Sequence, residues 1–161
     1  MRMSTKVLGV AAALAVTPSA FAGEIAKASC QVIGRMESLE LIGDRDGHGI
    51  IPHTTSCRMA SGLLDGGLQT LDSLWEWDQT TGALLAASGV VRKPGAIVVF
   101  TFTEGKLALT MADGKVTGFT GAGKGRLPLA SGSAAALAGK SFAWTIKSTG
   151  AGQFDAVWTD E

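Results

Sequence analysis

Both histidines of the chain lie in or just after one short polar stretch, Gly43-Asp44-Arg45-Asp46-Gly47-His48-Gly49. Side chains at alternate positions of such a stretch could face one cation, and the Asp-x-Asp-Gly order resembles the start of a calcium loop. The later carboxylates of a calcium loop are missing, because Pro52, His53 and Thr54 occupy their positions. We therefore favour a surface turn, in which aspartates bond to their own backbone, and predict no metal site.

The same stretch supplies most of the candidates for acid–base chemistry, because histidine is the side chain that titrates near neutral pH. A reaction without a cofactor would need polar groups that reach the interior of the fold. The candidate catalytic residues are Asp46, His48, His53 and Arg92. For Arg92, which begins the segment Arg92-Lys93-Pro94-Gly95, a solvated turn is the simpler interpretation.

Trp75 and Trp77 are two residues apart, so they point to the same side of a β-strand. They could form a stacking platform for a flat ligand, or they could fill the core. Core filling is favoured, because aromatic side chains dominate protein interiors. If the interior holds a cavity, inward-facing aromatic side chains should line it. These predicted ligand-binding residues are Trp75, Trp77, Phe100, Phe102 and Trp144.

Composition excludes several classes of function. The chain has 14 basic and 14 acidic residues, without the basic patch that a nucleic-acid-binding protein needs, so no nucleic-acid partner is predicted. The glycines between Gly118 and Gly125, with Lys124 and Arg126, lack the spacing of a phosphate-binding loop and the helix that follows one. We therefore predict no nucleotide, and no cofactor of any kind.

The elements that would position these residues are β-strands, because apolar runs alternate with glycines along the chain. Residues 97–103 are rich in β-branched and aromatic residues and form the clearest predicted strand. Alternating segments follow at 106–111 and 115–120. Glu104-Gly105 and Asp113-Gly114 predict tight turns between the three strands, which would make a meander.

The rest of the chain gives further strands and one short helical turn. An Ala-rich helical turn is predicted at 133–138, ended by Gly139. The remaining predicted strands are 31–41, 67–78, 83–91, 141–147 and 153–159.

About eight strands at regular spacing predict an all-β fold, either a single antiparallel barrel with meander connections or a β-sandwich. A barrel is favoured, because an open antiparallel sheet would leave two exposed edges.

Residues 1–22 have the three parts of an export signal: a cationic head, an apolar run from Val7 to Val16, and small residues at Ala20 and Ala22. The apolar run is too short to span a bilayer as a helix. We expect cleavage after Ala22, a single barrel domain at 23–161, and no membrane association afterwards. The expected location is periplasmic or secreted.

Two cysteines, Cys30 and Cys57, lie 27 positions apart and match no metal or redox spacing. In an oxidising compartment an isolated pair of this kind forms a disulfide bond, which we predict here.

From Gly114 to Trp144 the chain reads GKVTGFTGAGKGRLPLASGSAAALAGKSFAW. A strand punctuated by glycines, a short excursion containing Leu-Ala-Gly and a further strand resemble the late segment of small bacterial secreted barrels of the calycin and allene-oxide-cyclase-like group. The resemblance covers about a fifth of the chain. It implies a closed antiparallel barrel with an apolar cavity, and it carries over no catalytic residue.

The leading hypothesis is an exported barrel that binds a small hydrophobic or aromatic molecule in its interior, where barrels commonly hold ligands. A cofactor-independent lyase or isomerase using the same cavity is the second hypothesis. The third is a protein-binding module, such as an inhibitor of a cell-wall or host enzyme. The sequence does not decide whether the protein is an enzyme, and it does not name the ligand or the oligomeric state.

Overall fold

The computed structural model describes residues 23–34 and 39–161. The export signal predicted at 1–22 lies outside this part of the chain. The described residues form β-strands and two short 3-10 helices. Neither helix has the length and apolar character needed to span a bilayer. The strands are β1 (Glu24–Val32), β2 (Glu40–Leu41), β3 (His48–Met59), β4 (Leu68–Asp78), β5 (Thr81–Lys93), β6 (Ala96–Ala112), β7 (Lys115–Ala130), β8 (Ser141–Gly150) and β9 (Gln153–Asp160).

Eight of these strands close into an antiparallel barrel, which confirms the predicted fold class. Neighbours in sequence pair in the order β3 to β9, β9 pairs with β1, and β1 pairs with β3 to complete the ring. The short strand β2 adds to the edge of β3, where Glu40 lies opposite Ile50. The strands follow one another as a meander, and the sandwich alternative is wrong because no second sheet is present among the described residues.

The period-two alternation of side chains explains why this sequence forms a barrel. Along β8 and β9 the aromatic residues face inward and the polar ones outward, so one face of each strand is dry. Inside the barrel, Phe142 stacks on Trp158 with 4.6 Å between ring centroids, and Phe102 stacks on Trp144 at 4.9 Å. Such ring pairs contribute about 0.5–1.5 kcal/mol each beyond the area they bury.

Glycines of β7 make room for these rings. Each lies directly opposite a large side chain of β8, the pairs being Gly121 with Ile146, Gly123 with Trp144 and Gly125 with Phe142. A methyl group at position 123 would overlap both the Trp144 ring and the backbone carbonyl of Glu104. The glycine-rich run that lacks a phosphate-loop spacing is therefore the part of the barrel wall against which the aromatic core packs.

The two predicted turns of the central meander have different outcomes. Asp113-Gly114 is the predicted hairpin turn, with positive φ at both residues, 50° and 72°. The turn predicted at Glu104-Gly105 is wrong, because both residues lie inside the long strand β6. Gly105 is needed there for close approach rather than for turning: a side chain at this position would overlap the Trp144 ring.

The single strand predicted at 31–41 is also wrong, because β1 runs from Glu24 to Val32 and the strand does not continue through Ile33 and Gly34. Glu40–Leu41 form a separate strand, and residues 35–38 of the predicted strand lie outside the described part of the chain. The ladder ends where the N–H groups of Ile33 and Gly34 both donate to the carbonyl of Thr54, which leaves no regular register to continue. The helical turn predicted at 133–138 is a 3-10 helix at Gly132–Leu137, and Gly139 follows it with φ 79°.

The two ends of the barrel differ. The 3-10 helices Gly62–Leu64 and Gly132–Leu137 connect β3 to β4 and β7 to β8, so they lie at the same end and contact each other. Leu64 and Leu137 are almost completely buried there. We call this the closed end. The opposite end is formed by the β4–β5, β6–β7 and β8–β9 turns and by the connection from β1 to β3. It has no helix among residues 23–34 and 39–161, and we call it the open end.

The predicted disulfide between Cys30 and Cys57 is present. The two residues lie directly opposite each other on β1 and β3, which is the pair of strands that closes the barrel. Both side chains belong to the buried core, so the bond joins the ring from inside.

Candidate functional site

A cavity of about 270 Å³ lies inside the barrel at its open end. Most of the residues that line it are apolar, and they come from strands all around the ring. They are Val32, Leu39, Ile51, His53, Thr55, Leu71, Ser73, Trp75, Trp77, Gln79, Leu107, Leu109, Phe119 and Phe154.

Trp75 separates this cavity from the packed aromatic core. Its ring lies in the cavity wall and also packs edge-on against Trp144, with 6.4 Å between the ring centroids. Toward the closed end the interior is filled by rings. The space that side chains leave unfilled is therefore concentrated at the open end.

Four polar side chains interrupt the apolar wall. Gln79 lies in the turn between β4 and β5, and the other three lie on the adjacent strands β3 and β4. His53 lies opposite Ser73 in the strand register, and Thr55 is one inward position further along β3. Ser73 accepts a hydrogen bond from Trp75 Nε1 at 3.0 Å. We call His53, Thr55 and Ser73 the polar strip.

Two buried polar atoms of the cavity wall have no hydrogen-bond partner in the described part of the chain: the hydroxyl oxygen of Thr55 and Nε1 of Trp77. A buried polar atom without a partner costs about 1–3 kcal/mol, and native proteins contain few of them. Two such atoms in the wall of one apolar cavity indicate a place where a bound molecule could form hydrogen bonds that the protein itself does not make.

His53 is the one ionisable side chain among the described residues of the cavity wall. Burial lowers the pKa of its imidazole below the ordinary value of about 6.5, because a charged ring would lose hydration. The ring is therefore neutral at pH 7, with one nitrogen that donates and one that accepts a hydrogen bond.

The predicted ligand-binding residues divide into two groups. Trp75 and Trp77 lie in the wall of the cavity. Phe100, Phe102 and Trp144 belong instead to the aromatic core beneath it, where Phe100 also packs against Trp158 at 4.9 Å.

The structure does not bring the four candidate catalytic residues together. His53 faces the cavity, whereas His48 is five residues away on the outer face of β3. Asp46 is exposed in the loop before β3, and Arg92 is exposed on β5 near the closed end. Of the four, only His53 could touch a molecule inside the barrel.

His48 is held by carboxylates on both sides of its ring. Nδ1 lies 2.5 Å from an oxygen of Asp44, and Nε2 lies 2.8 Å from an oxygen of Glu76. Both nitrogens must carry a proton to donate to both carboxylates, and this raises the pKa of His48 above its ordinary value. Arg45 joins the same loop to the outer face of β4 through Asp78 at 2.8 Å. These contacts account for the polar stretch as a set of ion pairs.

No set of three or more histidine, cysteine or acidic residues with the geometry of a metal site occurs within residues 23–34 and 39–161.

A larger depression, of about 750 Å³, lies on the outer wall across β5, β6 and β7. It is open to solvent, and its wall consists largely of small residues, including Ala83, Ala108 and Ala122. The polar atoms left unpaired by the fold lie in the interior cavity instead, so we place the candidate site there.

Sequence reasoning missed most of the apolar wall. Leu107 and Leu109 gave a usable signal, because their alternation with polar residues marks one face of a strand. Phe119 and Phe154 were recognised as strand residues, but nothing in their local sequence shows that they lie beside a cavity rather than inside the packed core.

Comparison with protein-family models, with curated protein sequences and with solved structures gave no match for this chain, so the resemblance to the calycin group stays a prediction.

Proposed function

We propose that the protein binds a small apolar or aromatic molecule in the cavity at the open end of the barrel. The observation that carries the proposal is the contrast along the barrel axis. The interior toward the closed end is filled by stacked rings, while about 270 Å³ at the open end is lined by leucine, isoleucine, phenylalanine and tryptophan and is left unfilled. Unfilled apolar space forfeits dispersion contacts, which a ligand would restore.

The volume limits the size of the ligand. An engineered apolar cavity of about 150 Å³ holds one benzene molecule. A cavity of about 270 Å³ therefore suits a molecule with one or two rings, or a short branched chain.

Binding is a better account of the site than catalysis. General acid–base catalysis without a cofactor commonly uses a proton donor and a proton acceptor on either side of the substrate. In the described part of the chain, the cavity wall supplies His53 and no acidic or basic side chain to work with it.

A panel of toluene, indole and naphthalene tests the proposal. Titration followed by the indole N–H resonances of Trp75 and Trp77 should show saturable shifts for at least one of the three. Leu109→Trp, which fills the cavity, should abolish binding while leaving the barrel folded. Leu129→Trp is the matched control, because Leu129 is exposed on the outer wall.

Two outcomes would reject the proposal. One is that no member of the panel binds the unaltered protein. The other is that Leu109→Trp binds as well as the control, which would place the ligand outside the cavity.

We also infer that the protein works in an oxidising compartment outside the cytoplasm. Support comes from the buried disulfide Cys30–Cys57, since structural disulfides persist in such compartments. Protein recovered from the periplasm or medium should lack free thiols and begin at Gly23 when its mass is measured. Recovered material that still carries Met1 would reject the export signal.

A further inference from the structure

We propose that the ligand of this cavity is a neutral molecule that carries a hydroxyl group, and that the polar strip of His53, Thr55 and Ser73 receives that group. This inference rests on the proposed function and adds the chemistry of the ligand to it. It selects small phenols and alcohols over hydrocarbons of the same shape and over carboxylates.

The first argument is the sidedness of the cavity. Its polar strip lies on β3 and β4, whereas β6, β7 and β9 contribute only apolar side chains. Phe119 of β7 lies four strands from β3 around the eight-membered ring, so it faces the polar strip across the barrel. A ligand that fits both walls has an apolar body and one polar edge.

The second argument is the hydrogen-bonding capacity of the strip. The Thr55 hydroxyl oxygen is unpaired among the described residues, and the neutral ring of His53 has both a donor and an acceptor nitrogen. A hydroxyl group both donates and accepts, so it can use either residue. Ser73 accepts from Trp75 Nε1, which leaves its own hydroxyl proton available to a ligand oxygen.

The third argument is the absence of charge. Among residues 23–34 and 39–161, no lysine, arginine, aspartate or glutamate lines the cavity. Moving a carboxylate or an ammonium group from water into apolar surroundings without a partner costs far more than moving a neutral group. Burial keeps His53 uncharged at neutral pH, so it offers no counter-charge to an anion.

Three probes of nearly identical shape test the inference: naphthalene, 2-naphthol and 2-naphthoate, titrated into the unaltered protein at pH 7.5. We expect 2-naphthol to bind about three- to tenfold more tightly than naphthalene, which is the effect of one net neutral hydrogen bond. We expect 2-naphthoate to bind at least about tenfold more weakly than 2-naphthol, because it must leave its hydration behind.

Variants test whether the polar strip causes the preference for 2-naphthol over naphthalene. In the double variant His53→Leu/Thr55→Val, the ratio of the 2-naphthol and naphthalene affinities should fall toward one while naphthalene still binds, which shows that the cavity is intact. Thr54→Val is the matched control. It makes the same substitution one residue away, where the Thr54 hydroxyl donates to Asp72 on the outer face, and it should keep the full preference.

The outcomes separate the two proposals. If none of the three probes binds, the proposed function fails, and this inference falls with it. If naphthalene and 2-naphthol bind equally, or if 2-naphthoate binds most tightly, the inference is overturned while the ligand site stands. A preference for 2-naphthol that survives in the double variant would overturn the role of the strip. The comparison on unaltered protein decides the ligand chemistry even if the double variant does not fold.

Discussion

At the scale of single residues, Thr55 shows how a binding site can cost stability. Its side chain is buried and its hydroxyl oxygen has no partner within the described ranges. Replacing a buried unpaired polar group with an apolar group of the same shape removes a desolvation cost. A binding site that keeps such a group in reserve gives up some stability for function.

We therefore predict that Thr55→Val raises the free energy of unfolding by about 1 kcal/mol, measured by chemical denaturation without ligand. Thr54→Val is the control and should give no gain, because its hydroxyl already donates to Asp72 at 2.7 Å. A loss of stability in Thr55→Val would mean that the Thr55 hydroxyl has a partner in the folded protein.

The two histidines should change stability with pH in opposite directions. The pKa of His48 is raised by Asp44 and Glu76, so its contribution to stability is complete below about pH 6.5 and is lost as the pH rises through its folded pKa. The pKa of His53 is lowered by burial, so its contribution is present above about pH 6.5 and is lost as the pH falls.

Measuring the denaturation midpoints of His48→Gln and His53→Gln at pH 5.5, 7 and 9 tests this. The deficit of His48→Gln relative to the unaltered protein should be largest at pH 5.5 and smallest at pH 9. For His53→Gln the order should be reversed. Parallel curves for the two variants would contradict the opposite environments of the two rings.

The sequence predicted which way single residues face but not how deep they lie. Alternation placed Trp75 and Trp77 on the inner face, where both are found. The same alternation could not distinguish them from Trp144, because the level along the barrel axis depends on strand tilt and register, which are properties of the whole ring.

At the scale of elements, the long strands β6 and β7 show that glycine has two different structural roles in this barrel. Gly114 permits the positive φ of the hairpin turn, and this was predictable because Asp-Gly is a strong local signal. Gly105 and Gly123 instead allow rings from other strands to approach the backbone. Local sequence cannot reveal this second use, and that is why a turn was predicted at Glu104-Gly105.

We predict that Gly123→Ala destabilises the protein by about 2–3 kcal/mol, because its methyl group meets backbone atoms that cannot move aside. Gly150→Ala, in β8, is the control, since the nearest atom to a methyl group there is at an ordinary contact distance of 3.4 Å. Thermal and chemical denaturation of both variants provides the measurement. Equal stabilities would show that a methyl group fits at position 123 between the Glu104 carbonyl and the Trp144 ring.

At the scale of the whole molecule, closure of the barrel could be predicted from the sequence, because a long antiparallel meander would otherwise expose two edges. The identity of the closed end could not be predicted. It depends on two short 3-10 helices that are separated by more than sixty residues in the sequence and contact each other in the folded barrel. The cavity lies at the end where the described residues form no helix.

The disulfide joins β1 and β3, the pair of neighbouring strands with the shortest pairing in the ring. We call this pairing the seam. β1 and β3 share five opposed residue pairs, from Ala28–Met59 to Val32–Thr55, whereas β6 and β7 share thirteen.

We predict that Cys30→Ala/Cys57→Ala lowers the free energy of unfolding by about 3–4 kcal/mol, because the cross-link no longer restricts the unfolded chain. Hydrogen exchange should quicken first at the amides of β1, with those of β6 as the internal control. Because the seam lies beside the cavity residues Val32 and Thr55, affinity for the ligand should fall with seam opening. Uniform acceleration across all strands would show that the ring opens as one unit and that the disulfide does not specifically protect this seam.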